Sequence, residues 1–136
     1  MREDDFLQLL DGHLLFDGDA AAVMHMGALA TNCRYKALNL IHIVLNNEVN
    51  ESVGGQPSAG SIINLTKVAE ACGYITQGHS IESVSELQEY IKNIKQGVMP
   101  HFIEVHVRQG IRPDMPKLDI NHKAQKEALM ALLRKK

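Results

Sequence analysis

The chain has 136 residues, a length that suits one domain with a buried core of its own. Apolar residues make up 45% and aromatics only 4%, with no tryptophan, so that core must be built from Leu, Ile, Val, Ala and Met. The net charge of -2, with no basic run outside Arg134-Lys135-Lys136, speaks against a nucleic-acid partner, and no apolar stretch approaches the ~20 residues of a membrane span.

The chain opens on the acidic Met1-Arg2-Glu3-Asp4-Asp5, which lacks the basic start of a secretory signal and points to the cytoplasm. His13-Leu14-Leu15-Phe16 predicts a short buried strand closed by a turn at Asp17-Gly18-Asp19. Ala20 to Thr31 is rich in Ala, Met and Leu and predicts one helix, with Met24, Met26 and Leu29 as a core or interface stripe. Leu38 to Leu45 predicts a central strand holding His42 as a packed residue. Asn46 to Gly60 reads as a long loop, and loops beyond about 12 residues inside a compact domain are usually functional or disordered.

Ile62, Leu65, Val68, Ala69 and Cys72 recur at helical spacing, with Gly73 placed as a C-cap. Tyr74-Ile75-Thr76 predicts a short strand. Ser83 and Glu86 form a capping box before a helix whose apolar face is Leu87, Ile91 and Ile94. Phe102 to Val107 predicts a strand, with His101 and His106 exposed at its flanks. Asn121 caps a last helix with an apolar face of Ala124, Ala128, Leu129, Leu132 and Leu133, and the terminal Arg-Lys-Lys suits the negative end of that helix. Cys33 and Cys72 form no CxxC and read as two reduced thiols in helices, although one disulfide is compatible with the sequence. No HxH or HExxH spacing supports zinc.

The order of elements predicts an α/β fold, a parallel sheet with helices on both faces, as a single domain over residues 1–136. In such sheets ligands bind beyond the C-terminal ends of the strands, where Asp19 and Asn47 both fall. Gly18-Asp19-Ala20-Ala21 joins a sharp turn, a carboxylate and a helix start whose N–H groups favour an anion such as phosphate. A carboxylate beside a phosphate calls for a cation between them, and Mg²⁺ takes one or two carboxylates together with phosphates. The Asn46-Asn47 pair adds a neutral hard ligand, and the carbonyls of Glu48 or Val49 can complete the set. Alone, each dipeptide reads as a turn.

Together they are more specific, since 26 residues, Ala20 to Leu45, separate Asp19 from Asn46. A strand, Gly-Asp-Ala, some two dozen residues and a strand-ending Asn-Asn resemble the cofactor-binding domain of the thiamine-diphosphate-dependent decarboxylases. The runs Met24-His25-Met26-Gly27, Asn46 to Pro57, Ala69 to Tyr74 and Phe102 to Val105 are most similar to the phosphonopyruvate decarboxylases, and more distantly to sulfopyruvate decarboxylase β subunits. The resemblance covers about residues 12 to 110 and implies the thiamine-diphosphate-binding fold. It implies thiamine diphosphate and Mg²⁺ as cofactors, with Asp19, Asn47 and the main chain of Val49 on the metal. It also implies Gly18, Ala20 and Ala21 against the diphosphate, and a small 2-oxo acid as substrate, decarboxylated in the leading case from phosphonopyruvate to phosphonoacetaldehyde. His25 and the Ser52, Gly54, Gly55, Gln56 segment are the substrate candidates, the glycines forming an anion-binding nest.

Four departures shape the expectation. Arg112-Pro113-Asp114-Met115-Pro116 looks like a shortened version of a family segment rich in Gly, Arg, Pro and Thr, which leaves substrate-anion contacts there open. Ala20 replaces the usual third glycine. Asn50 stands where phosphonopyruvate enzymes commonly carry a titratable histidine. The chain begins about a dozen residues before its first strand, so the fold is expected to be truncated there and the cofactor-activating glutamate to lie on a pyrimidine-binding domain elsewhere. The chain is therefore expected to need that partner half and to oligomerise through an exposed sheet edge and apolar helix faces. The rival readings are a sulfopyruvate decarboxylase β-type subunit and a non-catalytic remnant serving as an interaction module.

Overall fold

A computed structural model describes residues 13–94, 100–110, 114 and 121–134. Three parallel strands form the frame: β1 (His13–Gly18), β2 (Leu40–Asn46) and β5 (His101–His106), in the order β1-β2-β5. The register sets Leu14 beside Ile41 and Phe16 beside Ile43, then Ile41 beside His101 and Ile43 beside Ile103. Because side chains alternate across a strand, β2 sends Ile41 and Ile43 to one face and His42 and Val44 to the other.

Helices α1 (Asp19–Met24), α2 (Gly27–Arg34) and α3 (Leu65–Cys72) cover the second of these faces, where Ala22, Leu29, Val44, Leu65, Ala69, Tyr74 and Phe102 form one core. Helix α4 (Val84–Lys92) covers the first, where Ile91 joins Ile41, Ile43, Ile81 and Ile103, flanked by Leu87 and Ile94. The parallel sheet with helices on both faces follows from the apolar runs, and β2 is central as its composition requires.

Several boundaries differ from the sequence expectation. The single helix over 20–31 is two, broken at His25-Met26. There Ala28 N–H donates to His25 O and Leu29 N–H to Met26 O, tightening the turn to i→i+3 bonds just where Gly27 weakens helix propensity. The stretch 46–60 is not structureless. It holds a two-stranded antiparallel ladder, β3 (Val49–Asn50) with β4 (Gln56–Pro57), and short 3-10 turns at Glu51–Val53 and Ala59–Ser61. Tyr74-Thr76 forms no strand of its own. Ile75 makes one parallel bridge to His101 and Ile81 another to Val105, so this segment lines the outer edge of β5.

Ile62 is exposed and precedes α3, whose N-cap is Asn64. Gly73 adopts the left-handed C-cap conformation (φ 104°) that the sequence calls for. Ser83 accepts from Glu86 N–H, while the Glu86 carboxylate accepts from Glu82 N–H rather than from the cap itself. His101 is 4% exposed, not open at the strand's flank, because the segment lining β5 and Tyr90 of α4 cover it. The last helix, α5 (His122–Leu133), is capped by Asn121 as read, yet every residue of it is exposed, so its apolar face covers no sheet. Among the described residues no helix is long and apolar enough to cross a membrane.

Candidate functional site

Strand β1 ends at Gly18, which is extended (φ -84°, ψ 156°) and caps α1, leaving Asp19 as the first helical residue. Strand β2 ends at Asn46. Both corners therefore lie at the same end of the sheet. Asp19 and Asn46 are each 1% exposed, whereas Asn47 is half-buried. Beyond the strand ends opens a cleft of about 510 Å³ lined by Gly18, Ala20, Ala21, Asn47, Val49 and Ser52, with Arg108 and Gly110 on the β5 side. A Cβ placed on Gly18 would meet nothing within 4 Å, so the absent side chain leaves open volume rather than packed contact.

Asp19 does not line that cleft. It sits behind it, where its Oδ2 accepts from the Ser58 hydroxyl. The 46–50 turn is shaped by its own side chains. Asn46 Oδ1 accepts from Glu48 N–H (3.1 Å) and Asn47 Oδ1 accepts from Val49 N–H (3.3 Å). Glu48 stands at φ 64°, a left-handed conformation costly for a residue with a Cβ, which the first of these bonds helps to hold. Pro57, paired opposite Val49, has no N–H to offer the Val49 carbonyl.

The substrate candidates separate. Ser52 lines the cleft and donates to Asn50 Oδ1 (3.0 Å). His25, Gly54, Gly55 and Gln56 do not line it, and His25 is exposed at the end of α1. The nest expected at Gly54-Gly55 is not formed, because Gly54 N–H donates to Glu51 O and Gly55 N–H to Asn50 O within their own turn. Of the stripe on the first helices, Leu29 is core, Met26 packs at its margin and Met24 is exposed.

Sequence reasoning missed a buried polar network behind the cleft. Glu104 of β5, 4% exposed, accepts from Asn46 Nδ2 (2.8 Å), from Thr66 N–H (3.0 Å) and from the Thr66 hydroxyl (2.9 Å). Asn46 Nδ2 also donates to Gly60 O (3.1 Å). The signal was present, since a lone carboxylate interrupts the apolar run Phe102-Ile103-Glu104-Val105, and buried charges persist only when hydrogen-bonded. His42, packed as read, bonds Asp17 Oδ2 through Nε2 (3.2 Å) while its Nδ1 is buried without a partner. Burial lowers the His42 pKa, opposed by the Asp17 carboxylate. Cys33 and Cys72 are free thiols at the edge of the core, and burial, then the proximity of Cys72, pushes the Cys33 thiol up.

Among the described residues no three His, Cys, Asp or Glu side chains gather as a metal site. Any cation at the strand ends would therefore take Asp19 together with amide and main-chain oxygens. Such a hard, all-oxygen donor set suits Mg²⁺ or Ca²⁺ rather than a thiophilic metal. The small side chains at Gly18, Ala20 and Ala21 and the open volume at Gly18 leave room for the anion that such a cation would bridge. The residues present thus fit a diphosphate and its metal.

Residues 11–105 match the family model described as Thiamine pyrophosphate enzyme, C-terminal TPP binding domain. Phosphonopyruvate decarboxylase of Streptomyces hygroscopicus is 35% identical over 97 residues, 71% of this chain and 24% of that enzyme. The same enzyme of Streptomyces viridochromogenes is 34% identical over the same share. Sulfopyruvate decarboxylase subunit beta of Methanothermobacter thermautotrophicus is 29% identical over 111 residues, 79% of this chain and 55% of that subunit. The chain spans about a quarter of the length of the phosphonopyruvate decarboxylases it matches.

Proposed function

This chain belongs to the C-terminal TPP-binding-domain family of thiamine pyrophosphate enzymes, and from that premise we propose that it is the diphosphate- and Mg²⁺-holding domain of a cytoplasmic 2-oxo-acid decarboxylase acting on phosphonopyruvate. One observation carries the reading: Gly18, Ala20, Ala21, Asn47 and Val49 line a single cleft at the strand ends, with Asp19 buried behind it. In this reading Asp19, the Asn47 amide oxygen and the Val49 carbonyl hold Mg²⁺. Gly18 and the two alanines give the diphosphate its close approach.

Thiamine diphosphate, when bound, supplies the electron sink for loss of CO₂ from a 2-oxo acid. The chain's own residues bind and orient. Asp19 would hold the cation and offset its charge from a buried position. Ser58 fixes the carboxylate's direction. Ser52 lies at the cleft wall and is the hydroxyl this reading assigns to the substrate's phosphonate.

The glutamate that activates the cofactor has no counterpart in this reading on the present chain. The domain works with a pyrimidine-binding half, in one polypeptide or two, within an oligomer. A second reading, a sulfopyruvate decarboxylase β-type subunit, rests on the 29% identity over 111 residues to such a subunit. A remnant kept as an interaction module is the non-catalytic rival.

Calorimetric titration of thiamine diphosphate into the chain plus a pyrimidine-binding half, with and without Mg²⁺, tests the reading. Mg²⁺-dependent heat that disappears in Asp19→Ala supports it. No heat in any mixture leaves the remnant reading. Assays of the reconstituted protein with phosphonopyruvate and sulfopyruvate then separate the substrates.

A further inference from the structure

Glu104 lies outside the cleft, yet it is the most committed polar group behind it. A buried carboxylate is costly, and here three donors from two elements converge on it: Asn46 Nδ2 on Oε1, and Thr66 N–H and Oγ–H on Oε2. The nearest ion partner is His106 Nε2 at 3.9 Å, more exposed than Glu104 itself. Packing alone would be met more cheaply by an apolar side chain. The arrangement instead has a directional consequence.

A carboxylate only accepts, so the Asn46 amide must turn its NH₂ toward Glu104. That NH₂ also reaches Gly60 O (3.1 Å), which ties down the loop carrying Ser58. The Asn46 oxygen is then forced to the other side, where it receives Glu48 N–H (3.1 Å) and holds the left-handed turn. That turn sets the direction of Asn47 and Val49. We propose that Glu104 is a positioning residue, which orients the Asn46 amide and through it the Asn47–Val49 turn and the Gly60 segment that packs against Asp19. What the turn holds rests on the functional reading above, but the orienting role does not.

Replacing Glu104 by Gln makes the prediction specific. An amide at that position must present its NH₂ either to Asn46 or to Thr66. Facing Asn46, it flips that amide and puts an NH₂ against Glu48 N–H. Facing Thr66, it opposes the N–H that begins α3. Asn46→Asp alone sets two carboxylates against each other. The double variant restores a donor–acceptor pair. Its carboxylate at position 46 can accept from the amide at position 104 on one side and from Glu48 N–H on the other, while an acceptor replaces the donor that now faces Gly60 O.

The test uses the full chain in four forms, wild type, E104Q, N46D and E104Q/N46D, with Leu65→Ala as a core lesion that leaves these polar groups intact. Two quantities are read: hydrogen-exchange protection of the Glu48 amide by NMR, and Mg²⁺-dependent thiamine diphosphate affinity with the pyrimidine-binding half supplied. We expect both single variants to lose Glu48 protection and to weaken binding by about 10–100-fold, as outer-shell changes do. The double variant should recover both to within a few-fold, and Leu65→Ala should keep both despite lower stability.

Unchanged Glu48 protection in E104Q, binding that tracks stability in Leu65→Ala, or a double variant as impaired as the singles each overturns the proposal. If E104Q does not fold, the double variant must still fold and protect Glu48, and its failure counts equally against it. If wild type shows no thiamine diphosphate binding, the functional reading falls, and the Glu48 amide alone decides the positioning role.

Discussion

The backbone of Gly60 lies directly against the side chain of Asp19. A Cβ added at Gly60 would stand 2.9 Å from Asp19 Cβ, closer still to its Oδ2, and 2.7 Å from Asn46 Oδ1. Gly18 is the opposite case, with open space where its side chain would go. The two glycines therefore fail differently when replaced by alanine. Gly60→Ala should destabilise the fold by about 1–3 kcal/mol through overpacking, read as a lower urea midpoint, and weaken cofactor binding as Asp19 and Asn46 are displaced. Gly18→Ala should change stability by less than about 1 kcal/mol yet reduce thiamine diphosphate affinity, because its methyl enters the cleft. Equal loss of stability in both would contradict this reading of the two positions.

Asp19 is buried without a lysine or arginine among its described ion pairs, and Ser58 is the hydroxyl that satisfies it. Asp19→Asn keeps the volume and an acceptor for Ser58 but removes the charge. The expected result is a folded protein by circular dichroism whose Mg²⁺-dependent thiamine diphosphate binding falls by about 100-fold or more, at least the upper end of what outer-shell changes cost. Retained affinity would take Asp19 off the metal.

The central strand, the two-faced packing and the C-cap at Gly73 were legible because apolar period and glycine placement act locally. The ends of β1 and β2 were legible less closely: β1 runs on through Asp17 and Gly18 straight into the helix at Asp19 instead of turning after Phe16, and β2 runs on to Asn46, yet Asp19 and Asn47 still fall at one end of the sheet. The network behind them was not legible. Glu104 and Asn46 are 58 residues apart, and only the register of β5 against β2 brings them together. Gly60 read as an ordinary loop glycine because its constraint is a neighbour, not a positive φ. The apolar pattern of α5 shows which face is apolar but carries no information about what that face meets.

Glu48 adopts φ 64° on an exposed turn, where its side chain makes no described hydrogen bond. Only its main chain is used, the N–H toward Asn46 Oδ1 and the carbonyl toward Ser58 N–H. Glycine relieves the left-handed strain and leaves both bonds in place. Glu48→Gly should raise stability by about 0.5–1 kcal/mol, the strain relieved less the added chain entropy, as read by urea unfolding. A loss of stability would mean that the Glu48 side chain has a role beyond the turn.

Helix α5 bears Leu129, Leu132 and Leu133 at 57–67% exposure, and edge strand β1 bears Phe16 at 57%. None of these side chains contributes to the buried core of the described residues. The double substitution Leu129→Glu with Leu132→Glu should therefore leave unfolding stability within about 0.5 kcal/mol of wild type at low protein concentration. Size-exclusion chromatography should show association of the wild-type chain that this variant reduces. A wild-type monomer at all concentrations would rule out self-association through this face.

His42 supplies the pH dependence. Its imidazole is buried against Tyr74 and Phe102, with Nε2 on Asp17 and Nδ1 unpartnered. Burial holds its pKa below the ordinary 6.5, the Asp17 carboxylate only partly opposing that. The unfolded chain therefore takes up a proton at a pH where the folded chain does not. Stability from this group is complete above about pH 6.5 and is lost as pH falls below it, since the state that binds more protons is favoured by acid. The urea midpoint should drop between about pH 7.5 and about pH 5.5, before the carboxylates contribute. His42→Gln, which keeps a hydrogen-bond donor for Asp17 but cannot titrate, should flatten the profile over that window. A wild-type midpoint that rises toward acid would instead mean that the Asp17 interaction outweighs burial and that His42 is protonated in the fold.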